Sequence, residues 1–155
     1  MKGIIDIKPN RILFLFICIF LLASLLGDLL DFKEVVSSTL FIVLGSAVAI
    51  SGFILHMICH KYHKFGHDTS DKIKTVIADG IYKKIRHPMY SGILLIVWGI
   101  FIAWNFYFTL PIPIVITVLL YSLAKKEEQY LIETLDGQYK EYIKEVKWMF
   151  IPGLL

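Results

Sequence analysis

Charge is missing from three long blocks of this chain. Arg11 and Asp28 bracket sixteen uncharged residues, Ile12 to Gly27, and a second apolar stretch of twenty-five residues runs from Val35 to Cys59. The longest charge-free run, thirty-eight residues, extends from His87 to Ala124. A helix that crosses a bilayer needs about 20 apolar residues, so the first block meets the requirement barely, the second comfortably, and the third is long enough for two. The third therefore predicts a helical hairpin. Asn105 and the Pro111/Pro113 pair near its middle supply a turn and a new helix start. The pattern predicts an all-α integral membrane protein with about four transmembrane helices, over 12–30, 35–59, 88–104 and 107–124.

Beyond Ala124 the pattern changes to KKEEQYLIETLDGQYKEYIKEVKWMFIP. At 100° per residue, Leu131, Leu135, Tyr139, Tyr142 and Val146 share one stripe, which predicts a C-terminal amphipathic helix on the membrane surface or on the helical core. Glu128 falls near the centre of that stripe and Glu127 at its edge, with the lysines on the far side. An inward-facing carboxylate at the end of a membrane helix is a candidate functional residue, and one that calls for a cationic or donor-rich partner.

Composition agrees with the membrane reading: 57% hydrophobic residues, 14% aromatics and a mean hydropathy of +0.68 exceed what a soluble domain of 155 residues carries. Charge then sets the orientation. Lys2, Lys8 and Arg11 precede the first helix, whereas Asp28, Asp31 and Glu34 outweigh Lys33 in the next loop. The 60–90 connection carries Lys61, Lys64, Lys72, Lys74, Lys83, Lys84 and Arg86. Positive residues mark the cytoplasmic side, so both termini are expected there, in the cell (inner) membrane. The net charge of +3 follows from this topology, and no basic-aromatic module points to nucleic acid. The N-terminus has a basic start and an apolar core, as a signal peptide does, but further spans make it an expected retained anchor.

No repeat, low-complexity segment or long linker divides the chain. It is expected to form one domain over 1–155, with two N-terminal helices in 1–59 and a catalytic region in 78–152. Cys18 and Cys59 lie in predicted helices without metal or redox spacing and read as buried thiols. Gly45 and Gly52, like Gly92 and Gly99, recur seven residues apart and predict a small-residue seam for close helix packing. His56, His60, His63 and His67 fall at i, i+4, i+7 and i+11 on one helix face. That spacing suits a metal, and a non-catalytic membrane protein binding metal through His56, His60 and His63 is one alternative. Against it stand Gly66, the polar HDTSD stretch, and the absence of a carboxylate among the first three histidines, so they are read as interfacial and no metal site is assigned.

The densest chemistry lies in GIYKKIRHPMYSG, residues 80–92. Taken alone it describes a chain dipping into a bilayer, with cations at headgroup level, tyrosines in the aromatic belt and Pro88 in the first helical turn. Together with the downstream glutamates it resembles the isoprenylcysteine carboxyl methyltransferase-like membrane methyltransferases, a family that includes related phospholipid methyltransferases. The resemblance runs from about Ala78 to Pro152. It rests on Gly80-Ile81-Tyr82, on Arg86-His87-Pro88-x-Tyr90-x-Gly92, on Glu127-Glu128, and on the spaced Tyr139 and Tyr142 followed by Pro152.

What the resemblance implies is S-adenosylmethionine-dependent methyl transfer to a lipophilic acceptor that enters from the bilayer. It implies cofactor binding by Tyr82, His87, Pro88, Met89, Tyr90, Gly92, Glu127 and Glu128, with Arg86 and Glu128 in catalytic roles. The chemistry of those side chains is compatible. Arg86 or His87 suits a carboxylate, carboxylates accept from an amine and ribose hydroxyls, and tyrosine faces suit a sulfonium. Without GxGxxG, a soluble dinucleotide-type fold is excluded. Two departures stand out: Leu135-Asp136 replaces the usual Phe-Gly, and Leu123-Ala124 stands where an arginine one turn before the paired glutamates is usual. The second bears on the acceptor and keeps a phospholipid amine methyltransferase open as the alternative. A reductase on the same scaffold would want more cations for a 2′-phosphate.

Overall fold

The computed structural model describes residues 9–30, 39–62, 75–104, 107–135 and 137–153. Five helices follow in order: α1 (Pro9–Leu29), α2 (Thr39–Tyr62), α3 (Pro88–Trp104), α4 (Pro111–Thr134) and α5 (Gln138–Glu145). Short 3₁₀ turns at Gly80–Lys83 and Tyr107–Thr109 precede α3 and α4. No strand occurs among the described residues, apart from one isolated parallel bridge between Ile85 and Trp148.

Proline sets two of the helix starts. Pro88 opens α3 and Pro111 opens α4, where a missing N–H costs nothing because the first helical donors lack partners anyway. The third predicted helix is reproduced at 88–104. The fourth is not: α4 does not stop at Ala124 but continues to Thr134 as one 24-residue helix. The first half of the expected amphipathic helix, Glu128 included, is therefore the end of α4. Between Pro113 and Thr134 nothing breaks the helix, and KKEEQ consists of good helix formers. The break comes at Leu135 to Gly137, where Gly137 adopts φ 85°, a conformation that costs glycine nothing. The amphipathic helix proper is the eight-residue α5, with Tyr139 and Tyr142 buried. Asn105 lies outside the described residues; the 3₁₀ turn at Tyr107–Thr109 makes the described part of the hairpin connection.

α2 and α3 pack most closely, along the glycine seam. A methyl group placed on Gly52 would stand 2.6 Å from the Gly92 carbonyl oxygen and 2.8 Å from the Ile96 nitrogen. Gly99 likewise faces Ala49, and Gly45 faces Ala103. The backbones touch because no side chain separates them. α3 is joined to α4 by Trp98, whose indole N–H donates to Thr117 Oγ1 at 3.0 Å while that hydroxyl donates to the Pro113 carbonyl at 2.7 Å. α1 adds Ile12, Phe16 and Phe20, one turn apart, to a core with Ile93, Leu94 and Val97 of α3, Leu120, Leu123 and Ala124 of α4, and Met149 and Phe150 of the C-terminal tail.

Outside this core the helices are apolar toward their surroundings: Phe14, Leu15 and Leu25 on α1, Leu40, Val43 and Phe53 on α2, and Val115 and Val118 on α4 are all exposed. Two helices, Thr39–Lys61 and Tyr107–Thr134, are long and apolar enough to cross a membrane, and only 17% and 28% of their apolar windows are buried within the protein. The core helix of a soluble protein would bury most of that surface. Two shorter apolar helices, Arg11–Gly27 and Pro88–Trp104, accompany them.

The seam makes a direct prediction. Gly52→Ala sets a methyl group against two backbone atoms that cannot turn away, and should destabilise the protein by about 1–3 kcal/mol, the usual range for overpacking. Ser122→Ala, on the exposed face of α4, should stay within about 0.5 kcal/mol of the parent. Thermal unfolding of the detergent-purified protein checks both; equal melting of Gly52→Ala and parent would refute backbone contact at this point.

Candidate active site

The site forms where three pieces of backbone meet: the Gly80–Pro88 segment, the far end of α4, and the tail after α5. Residues 85–87 lie beside 148–149. Arg86 N–H donates to the Trp148 carbonyl and His87 N–H to the Met149 carbonyl, both at 2.9 Å. One turn into α3, Ser91 Oγ donates to the Phe150 carbonyl at 2.6 Å. Phe150 is held inside the core by these bonds and by Tyr90 and Tyr121, whose rings it meets at 6.5 Å. A methyl-deep apolar anchor, Met149 and Phe150, thus draws the tail against the start of α3.

Side chains complete the junction. Arg86 Nε donates to Glu128 Oε1 at 2.6 Å, and its Nη1 donates to the carbonyls of Val146 at 2.9 Å and Lys147 at 2.6 Å. His87 lies between the two carboxylates, Nε2 at 3.3 Å from Glu128 Oε1 and Nδ1 at 3.7 Å from Glu127 Oε2. Tyr90 donates to Glu127 Oε2 at 3.1 Å, and its ring stacks on His87 with centroids 5.5 Å apart and planes 5° from parallel. Lys125 Nζ reaches Glu128 Oε2 only at 3.9 Å from an exposed position, a weak addition.

Glu128 is 6% exposed, as its place in the apolar stripe predicts. Its buried charge is met by Arg86 and His87 of the chain itself. The residue has a structural explanation after all. Removing one member of a buried pair leaves the other charge uncompensated, at a typical cost of about 3–5 kcal/mol.

The tyrosines form a second layer. Tyr82 is hydrogen-bonded through its hydroxyl to the Cys59 thiol of α2, and its carbonyl accepts from Tyr142 Oη at 2.6 Å. Burial raises the phenols of Tyr82 and Tyr139 well above their ordinary range. Tyr142 is pushed from 10.0 up to about 12 by burial, with Arg86 acting in the opposite direction. All three stay neutral donors at physiological pH.

Of the residues named from sequence, Tyr82, Arg86, His87, Tyr90, Glu127 and Glu128 are brought together. Pro88 is fully buried beneath them as the first residue of α3, and Met89 is half-buried beside it. Gly92 is placed differently. It faces α2, where an added methyl group would meet Gly52 O at 2.9 Å and His56 N at 3.0 Å, so it belongs to the helix seam. The tail carbonyls of Val146 and Lys147 and the anchor Phe150 were not anticipated; the apolar run Trp148-Met149-Phe150, in an otherwise charged tail, was the available signal. His56 and His60 approach edge-on with Nε2 atoms 3.3 Å apart. His63 and His67 lie outside the described residues, and among the described residues no group of three potential ligands could hold a metal.

Comparison with known proteins places the chain in a family. Residues 34–137 match the phospholipid methyltransferase family, and the chain belongs to it. Among characterised proteins, it is 31% identical over 143 residues to protein-S-isoprenylcysteine O-methyltransferase of Saccharomyces cerevisiae, covering 79% of this chain and 54% of that protein. It is 31% identical over 77 residues to the protein of the same name in Schizosaccharomyces pombe, covering 49% of this chain and 33% of the relative. The chain thus spans about half the length, or less, of the curated relatives it matches. No solved structure matches it.

The Tyr142 bond yields a test with a defined sign. A phenol whose folded-state value lies above 10.0 contributes stability that is fully present below pH 10 and is lost as pH rises toward about 12. Tyr142→Phe should cost about 1 kcal/mol at neutral pH by leaving the Tyr82 carbonyl without its donor. It should also make the alkaline loss between pH 10 and 12 shallower than in the parent. Denaturant unfolding in detergent at pH 7 and at intervals up to 12 measures both effects.

Proposed function

We propose that this chain is an S-adenosylmethionine-dependent membrane methyltransferase that methylates a lipophilic acceptor at the cytoplasmic face of a membrane. The observation that carries the proposal is the convergence of His87 and Tyr90 from the start of α3 with Glu127 and Glu128 from the end of α4, at 2.6 to 3.7 Å from their partners. The family membership and the isoprenylcysteine O-methyltransferase relatives support it. α1 and α3 are taken as the remaining two of four spans, with α1 to α4 alternating in direction and both ends of the chain on the cytoplasmic side, as the charge asymmetry requires.

The donor set fits the cofactor by its chemistry. Glu127, whose side chain is 21% exposed, and Glu128 accept from an amine and from ribose hydroxyls, while the faces of Tyr90 and Tyr82 suit a cationic sulfur. When bound, S-adenosylmethionine supplies a methyl group on a sulfonium, open to in-line displacement. The protein's contribution is position and exclusion of water. Pro88 and the Ser91 to Phe150 bond fix the start of α3, the tail covers its side, and the neutral tyrosines line the wall. The acceptor approaches from the bilayer between apolar helix faces. A carboxylate acceptor, as the relatives' name indicates for them, needs no base. An amine acceptor must lose a proton, and Glu128 or His87 is the candidate base.

A second reading has its own support. Leu123 and Ala124, where the resemblance expects an arginine, are buried in the apolar core, so those positions offer no cation to an acceptor carboxylate and the nearest are Lys125 and Lys126. Together with the family match this keeps an amine-headed phospholipid as the alternative acceptor. Radiolabelled methyl transfer to an S-prenylated cysteine and to an amine-headed phospholipid, run side by side, separates the two.

Calorimetric titration of the purified protein with S-adenosylhomocysteine tests the common core of both readings. Binding is expected; its absence in folded protein sinks the methyltransferase proposal. Loss of a charge-assisted hydrogen bond contributing about 1.5–3 kcal/mol should make Glu128→Gln bind on the order of 10- to 150-fold more weakly. Glu133→Gln, exposed one turn further along beside Gln129, should bind as the parent does.

A further inference from the structure

We infer that Arg86 is a positioning residue: its guanidinium fixes Glu128 and the tail carbonyls at the edge of the cofactor site without itself touching the cofactor. The inference rests on the methyltransferase reading and deepens it, since the sequence alone offers Arg86 equally as a ligand for the cofactor's carboxylate.

The geometry carries the assignment. Arg86 and Glu128 side chains are each 8% exposed, so their 2.6 Å contact is largely shielded from water. The same guanidinium turns its Nη1 to two carbonyls of the tail, Val146 and Lys147, which already run beside Arg86 through the backbone bond to Trp148. Three of the five N–H donors of this planar fork, those on Nε and Nη1, are thus directed by the protein at one carboxylate and two adjacent carbonyls. Re-aiming it at a ligand would strand Glu128 and release the tail. Tyr90, by contrast, meets Glu127, the more exposed of the two carboxylates, while His87 spans both. Arg86 therefore joins Glu128 to the tail carbonyls, and a ligand held by Glu127 and Tyr90 lies away from that junction, reaching Glu128 from its other side.

Two consequences separate a positioning role from a ligand role. If Arg86 acts only through Glu128, the losses of affinity caused by removing each are not independent. If it holds the cofactor's carboxylate, its removal penalises only ligands that possess one.

The experiment measures affinity for S-adenosylhomocysteine and for its decarboxylated analogue, which keeps the amine, in parent, Arg86→Gln, Glu128→Gln and the double variant. The double variant removes both charges and so leaves neither unpaired in the interior. Expected results are a loss of about tenfold or more for Arg86→Gln with both ligands alike, and a double variant within about threefold of Glu128→Gln alone. A loss seen with S-adenosylhomocysteine but not with the analogue, or losses that multiply in the double variant, would overturn the assignment and make Arg86 a direct ligand. Absence of binding by the parent would instead sink the underlying methyltransferase reading. Arg86→Lys provides the folding control. It keeps a cation for Glu128 but lacks the fork, and should recover part of the affinity lost in Arg86→Gln while trypsin cuts after Lys144 and Lys147 several-fold faster than in the parent. Unchanged cleavage in Arg86→Lys would show that the tail is held without the guanidinium and would overturn that half of the inference.

Discussion

The buried ion pair between Arg86 and Glu128 is the constraint on which the rest of the site depends. Each member is expensive to bury alone, and the pair is tolerable only because further groups meet the remaining donors and acceptors: His87 on the carboxylate, and two tail carbonyls on the guanidinium. Those extra partners come from segments forty to sixty residues apart. Satisfying one charge therefore locates the end of α4, the start of α3 and the tail at once. A hydrophobic pair of the same volume could stabilise as much, but it would not fix their register.

That constraint acts at the end of a bundle held together differently. Along α2 and α3 the force is close backbone approach, permitted by glycine on both sides and unhelped by any hydrophobic drive if lipid surrounds the helices. Gly92 belongs to both arrangements. It follows the RHPMY segment in sequence and yet packs on Gly52 and His56, so the seam that aligns α3 with α2 also sets how far the first turn of α3 is rotated. His87 and Tyr90, three residues apart on that turn, stack on each other and face α4 because Gly92, two residues later, faces α2. Packing and chemistry divide one helical turn between them.

Much of this was legible in the residues, because each signal was local. Charge-free blocks gave the helices, Pro88 gave the start of α3 to the residue, paired glycines gave the seam, and the helical wheel placed Glu128 inward. What escaped was nonlocal. The extent of α4 was misjudged because a change from apolar to charged composition reads as a boundary, whereas a helix ends only where backbone geometry demands it, here at Gly137. The partner of Glu128 escaped for a related reason. Nothing at positions 82–90 announces that Arg86 will be crossed by residues 146–148, since that pairing depends on α5 turning the chain back.

The adjacent glutamates show how the site gains two functions from one motif. Successive residues on a helix point about 100° apart, so Glu127 and Glu128 cannot face the same partner. Glu128 turns into the protein and is held by Arg86; Glu127 turns toward Tyr90 and keeps more contact with solvent. His87 reaches both, one ring nitrogen to each carboxylate, and so links the sealed pair to the open one. The second glutamate ties the end of α4 to the start of α3, and the histidine between them holds the first in register with it.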